Sequence, residues 1–87
     1  MTWKVELARE AEKQVKKLPA DRKAMIIERL REMQVDPFEG DVKPLTGKWK
    51  GRYRKRVGRY RIIFRVDTNT RRVQVSAIVA RNEATYR

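Results

Sequence analysis

Arg52, Arg54 and Arg56 stand at every second position of one short stretch, and Arg61 and Arg65 fall in step within the next. In an extended chain, residues of equal parity point to one side, so such spacing lines up guanidinium groups. Each guanidinium is a planar fork of donors that stays protonated and fits phosphate oxygens. The surrounding tract, KWKGRYRKRVGRYRIIFR, adds Lys48, Lys50, Lys55 and Arg59. Charge is concentrated here. Residues 1–47 hold ten Lys or Arg against nine Asp or Glu, whereas residues 48–87 hold thirteen against two. A field of one sign over one half of a small chain suits a polyphosphate, and nucleic acid is the first partner to expect.

The chain of 87 residues has no cysteine and no histidine. Disulfides, thiolate or imidazole metal sites, Cys-His and Ser-His-Asp nucleophile systems, and paired-imidazole RNA cleavage are therefore outside its chemistry. No metal site and no cofactor is expected. The length suits one domain, 1–87, with a single modest core. No apolar run approaches the ~20 residues that span a bilayer, and MTWKVELAR is charged too early for a signal peptide. A soluble, cytoplasmic protein without a membrane partner is the expectation.

The elements that must position the arginines follow from periodicity. Trp3, Val5 and Leu7 alternate with Lys4 and Glu6, the pattern of a half-buried strand over residues 2–7. Ala8, Ala11, Val15 and Leu18 then recur at spacings of three and four until Pro19, which predicts a helix. Asp21 is placed to cap a second helix whose stripe is Met25, Ile26, Leu30 and Met33, ending near Pro37. Residues 38–50 show no period and read as a loop, with Leu45 and Trp49 as anchors. Residues 51–57, 59–66 and 72–80 are rich in Tyr, Val, Ile and Phe, separated by Gly58 and by Asp67-Thr68-Asn69-Thr70. The expected fold is α+β: an N-terminal strand, a helical hairpin, then an antiparallel three-strand meander, with the helices packed on one face of a twisted sheet.

Parity then sorts the faces. Tyr60, Ile62, Phe64 and Val66 form an apolar set to lie under the helices, leaving Arg61, Ile63 and Arg65 on the other side. A hairpin at Gly58 gathers Arg54, Arg56, Arg61 and Arg65 into one basic surface.

The order of these features resembles a known family. Pro44-Leu45-Thr46-Gly47, Tyr53-Arg54-Lys55-Arg56, Val57-Gly58-Arg59-Tyr60-Arg61-Ile62-Ile63-Phe64 and a closing Arg81 to Tyr86 together are similar to the RelE branch of the RelE/ParE toxin superfamily. The resemblance spans the whole chain. It implies a toxin of a type II toxin–antitoxin system that enters the ribosomal A site, beside 16S rRNA, and cuts mRNA without a metal ion. It also implies a cognate antitoxin as partner. Carried over by position, the catalytic set is Arg54, Arg56, Arg61, Arg81 and Tyr86. The remaining cations of the basic tract, Lys48, Lys50, Arg52, Lys55, Arg59 and Arg65, are expected to contact RNA.

Metal-free cleavage by the ribose 2′-OH needs a base, stabilisation of charge on the phosphate, and help for the departing 5′-oxygen. Arginine suits the second task, which falls to Arg61 and Arg81. With histidine absent, Tyr86 is the candidate base, since nearby guanidiniums favour a phenolate. This chain has Arg54 and Arg56 where some members carry lysines, and Arg81-Asn82-Glu83 in place of a His-Arg pair. There are two alternatives: a ParE-like inhibitor of DNA gyrase, which shares the fold but generally does not need Arg54, Arg56, Arg61 and Tyr86 as a cluster, and a non-catalytic RNA-binding domain.

Overall fold

The computed structural model describes residues 2–80. Strand β1 (Lys4–Leu7) is followed by helices α1 (Arg9–Lys16) and α2 (Ala20–Met33), then β2 (Val42–Pro44), β3 (Tyr53–Val57), β4 (Tyr60–Asp67) and β5 (Arg72–Ala80). The strands form one sheet in the order β1-β5-β4-β3-β2. Both helices lie on one face, as periodicity requires: Ala11, Ile26, Leu30 and Met33 pack against Val57, Ile62, Phe64, Val73, Val75 and Ile78. The α+β architecture expected from the sequence is the one observed.

Two details differ from the sequence reading, and two more go beyond it. First, the meander has four strands rather than three, because the supposed loop contains β2, which pairs antiparallel with β3 as Val42 with Lys55, Lys43 with Arg54 and Pro44 with Tyr53. Pro44 fits because β2 is an edge strand, where a missing N–H costs little. Second, Asp21 is not the cap of α2. Pro19 holds that position with no side-chain cap, and Asp21 sits in the first turn, where its charge favours the helix dipole.

Third, β1 closes the far side of the sheet by running parallel to β5, with Lys4 opposite Arg72 and Leu7 opposite Val75. A parallel neighbour needs a crossover, which the two helices and the following strands supply. Beyond Leu7 the edge of β5 is uncovered, and α1 takes over its hydrogen bonding: the Ile78 N–H donates to Gln14 Oε1 at 2.6 Å. Fourth, the pairing of β4 with β5 slips between Ile63–Ala77 and Phe64–Val75, leaving Ser76 as an extra residue. This bulge lets Val73, Val75 and Ile78 all face the helices although the last step is three residues.

The β3–β4 turn is two residues long with Gly58 at φ +57°, the geometry of a hairpin turn with glycine first. In the β4–β5 turn Asp67 Oδ1 accepts from the N–H groups of Asn69 (3.0 Å) and Thr70 (3.3 Å). These bonds, those to Thr70 foremost, hold the Asp67 carboxyl below its usual range. Arg71 closes this turn at φ +54°, and its guanidinium lies 4.7 Å from the centre of the Trp3 ring.

Candidate nucleic-acid interface

The face of the sheet away from the helices carries the arginines. Even positions of β3 and odd positions of β4 cannot share the core with Tyr53, Val57, Ile62 and Phe64, so Arg54, Arg56, Arg61 and Arg65 emerge on the opposite side. The register adds what periodicity could not: Arg56 is directly opposite Arg61, and Arg54 is opposite Ile63. Like charges directly across a ladder are unfavourable by a fraction of a kcal/mol, on the order of 0.2–1. A fold that keeps such a pair concentrates positive charge at one spot.

The Arg54 side chain is only 12 % exposed, whereas that of Arg56 is 41 % exposed. Around them Arg52 and Arg65 are tethered by neutral groups. Arg52 Nε donates to Ser76 Oγ at 3.3 Å, and the Arg52 guanidinium lies 5.4 Å from the Trp49 ring centre. Arg65 Nε donates to Gln74 Oε1 at 3.1 Å. Neutral acceptors fix the forks without cancelling their charge.

The expected anchors Leu45 and Trp49 do fold back on the sheet, but on this face. Leu45 packs with Ile63, Ala77 and Val79, and Trp49 lies against them. A small apolar floor therefore sits beside the basic cluster. The short helical turn Gly47–Trp49 carries Lys48, and Lys50 follows it; both are exposed at the start of β3, while exposed Arg59 sits at the opposite end, in the Gly58 turn.

Lys55 does not join this surface. Its odd parity in β3 sends it toward the helix layer with Tyr53 and Val57, where it is 4 % exposed. Its Cε lies 3.7 Å from where a side chain on Gly40 would begin, so the chain at Gly40 passes close against it. Arg81 and Tyr86 lie outside the described residues.

Two members of the face were missed because β2 read as loop. Lys43 is the register partner of Arg54 and adds an exposed charge to the same side. Asp41, just before β2, approaches both leading arginines: Oδ1 is 3.2 Å from Arg54 Nη1 and Oδ2 is 3.8 Å from Arg56 Nε. Its only sequence signal is that it precedes a tract poor in acids. Among the described residues no group of three or more acidic, His or Cys side chains is placed to hold a metal ion. A shallow depression of about 650 Å³ lies near the β4–β5 turn, but Arg65 and Arg72 there are balanced by Glu6 and Asp67. The net charge favours the Arg54–Arg56–Arg61 region for an anion.

A two-helix layer on a five-stranded sheet, with arginines on the sheet's other face, places the chain in the α+β class. Within it, residues 5–85 match the ParE toxin family of type II toxin–antitoxin systems (parDE), and the chain belongs to that family, within the RelE/ParE toxin superfamily. The RelBE2 toxin–antitoxin complex from Mycobacterium tuberculosis is similar in fold, with 24 % identity over 93 % of this chain and 100 % of that one and a TM-score of 0.85. The archaeal RelE–RelB complex from Pyrococcus horikoshii OT3 gives 26 % identity, 97 % and 100 % coverage and a TM-score of 0.81. The YoeB/ParE toxin from Agrobacterium tumefaciens gives 20 %, 88 % and 96 %, and 0.75. Among curated proteins no match was found. No helix of the described residues is long and apolar enough to cross a membrane.

Proposed function

We propose that this toxin is a ribosome-dependent endoribonuclease that cleaves mRNA in the A site and so inhibits translation. The observation that carries the reading is the placement of Arg56 opposite Arg61, with Arg54 beside them, on the helix-free face. In this reading Arg54, Arg56 and Arg61 grip the scissile phosphate and stabilise the charge that develops as the ribose 2′-OH attacks. Arginine remains protonated at neutral pH, so these groups orient and stabilise rather than exchange protons. Arg81 completes the clamp, and Tyr86, as its phenolate, takes the 2′-OH proton as the 2′-oxygen bonds to phosphorus and the P–O5′ bond breaks, the departing 5′-oxygen taking its proton from water. Lys43, Lys48, Lys50, Arg52, Arg59 and Arg65 contact flanking phosphates, while buried Lys55 serves the fold. The cognate antitoxin is the protein partner that holds the toxin inactive in the cytoplasm, consistent with relatives solved as toxin–antitoxin complexes.

The test is to induce the chain in cells and map mRNA 5′ ends with and without an inhibitor of translation initiation. Cuts confined to translated messages and in step with codons are expected, and Arg61→Ala or Arg81→Ala should reduce them by orders of magnitude in folded protein. Full cleavage by both variants would refute the assignment. The family description favours one second reading, inhibition of DNA gyrase. Loss of supercoiling by purified gyrase in the presence of the chain, with translated mRNA left intact, would select it.

A further inference from the structure

We propose that Asp41 is a resident counter-ion that occupies the phosphate-gripping arginines in the free protein and must yield to an RNA phosphate. The inference rests on the RNA reading above and concerns the regulation of that same surface. Among the described residues Asp41 is the carboxylate that pairs with Arg54 and Arg56; from Val42 to Ala80 the sequence contains one acid, Asp67, at the β4–β5 turn. Its two oxygens lie 3.2 Å from Arg54 Nη1 and 3.8 Å from Arg56 Nε, bridging two guanidiniums as a phosphate does.

The carboxylate is not what holds the strands. The Arg56 N–H donates to the Asp41 carbonyl at 3.0 Å, and the β2–β3 ladder continues from there. Nor is it the only acceptor for Arg54, whose Nη1 also lies 3.5 Å from the Asp41 carbonyl oxygen. The Asp41 side chain is 45 % exposed and that of Arg54 only 12 %. The acid can therefore rotate into solvent while the arginine stays in place. A brace would show the opposite asymmetry, a buried carboxylate orienting mobile cations. Asp41 thus lowers affinity for every polyanion and leaves the geometry of the grip intact, which favours ligands that bring several phosphates at once.

The test compares wild type, Asp41→Asn, Asp41→Ser and Asp41→Glu for binding a short fluorescein-labelled single-stranded RNA by anisotropy across a salt series, and for elution from heparin. Removing one unit charge beside the phosphate should tighten RNA binding by about three- to tenfold in the Asn and Ser variants. It should also steepen the salt slope by up to about 0.7, one further counterion equivalent on a single strand. Asp41→Glu, which keeps the charge, should stay near wild type, a pattern that a merely structural role would not produce. RNA affinity equal to or weaker than wild type in both neutral variants would overturn the proposal. Absence of RNA binding by every chain, with the neutral variants still eluting later from heparin, would sink the RNA reading and leave the counter-ion role standing. Co-elution without RNA binding would remove both.

Discussion

Arg56→Gln separates the cost of the basic cluster from its purpose. The substitution keeps much of the side chain's length and removes the charge that faces Arg61 across the ladder. Two small electrostatic effects on folding then oppose each other. Relief of the like-charge pair gains on the order of 0.2–1 kcal/mol. Loss of the 3.8 Å contact with Asp41, between side chains 41 % and 45 % exposed, forfeits about 0–1 kcal/mol. The stability change should therefore stay within about 1 kcal/mol, or about 5 °C in the melting midpoint of a domain this size. Binding should respond more strongly. A unit charge about 4 Å from a phosphate is worth about 1 kcal/mol in bulk water and about 4 kcal/mol at an effective dielectric of ~20. Half-exposed Arg56 belongs in the lower part of that range, so the loss should be about 1–2 kcal/mol, a factor of about 5–30. RNA anisotropy at two salt concentrations, paired with thermal denaturation by circular dichroism, measures both sides. Unchanged RNA affinity together with a stability loss above about 2 kcal/mol would show that Arg56 serves the fold and not a ligand.

Other consequences are open to direct measurement. Gln14→Ala leaves the Ile78 N–H without its 2.6 Å acceptor at the uncovered edge of β5, and should cost about 1–3 kcal/mol in urea unfolding. Gly58→Ala places a side chain at φ +57°; the new methyl meets only Met25 Cε at 3.6 Å, so the cost is backbone strain of about 1–2 kcal/mol, not a clash. Phe64→Ala removes a fully buried ring stacked 5.7 Å from Tyr53, and should cost about 3–5 kcal/mol. Asp67→Ala should destabilise at neutral pH, because hydrogen bonds in the turn lower the folded carboxyl's pKa and its contribution is present above the unfolded value. That contribution is lost progressively as pH falls from the unfolded value of about 4 through the lowered folded one, so the gap between wild type and variant should narrow steadily below pH 4 in unfolding experiments. A gap that stays constant there would point to turn geometry instead of charge.

Much of the fold and part of the site are legible in one dimension because their causes are local. The apolar set Tyr60, Ile62, Phe64 and Val66 fixes which side of β4 meets the helices, and pleat parity then forces Arg61 and Arg65 outward. The same rule, applied to β3, separates Arg54 and Arg56 from Lys55. Lys55 shows parity deciding orientation over charge, since its odd position buries it although it lies in the basic tract. Asp21 illustrates a weaker local rule. A residue type suited to capping sits two positions past the actual cap, because Pro19, with its fixed φ, already opens the helix there.

What the tertiary structure alone decided is everything that depends on pairing between distant segments. A three-residue strand such as β2 has no period to detect and exists because β3 offers it hydrogen bonds. Asp41 and Lys43 consequently gained their places beside Arg54 only when the chain folded back after Gly40. The parallel seat of β1 on β5, the Ser76 bulge and the Arg56–Arg61 register are likewise choices among alignments that local preference leaves nearly equal in energy. Alternation along the chain determined that the arginines would share a surface. Packing of Phe64 and its neighbours beneath the helices determined which arginines would meet, because sliding a strand by one residue would bury charge and expose the core.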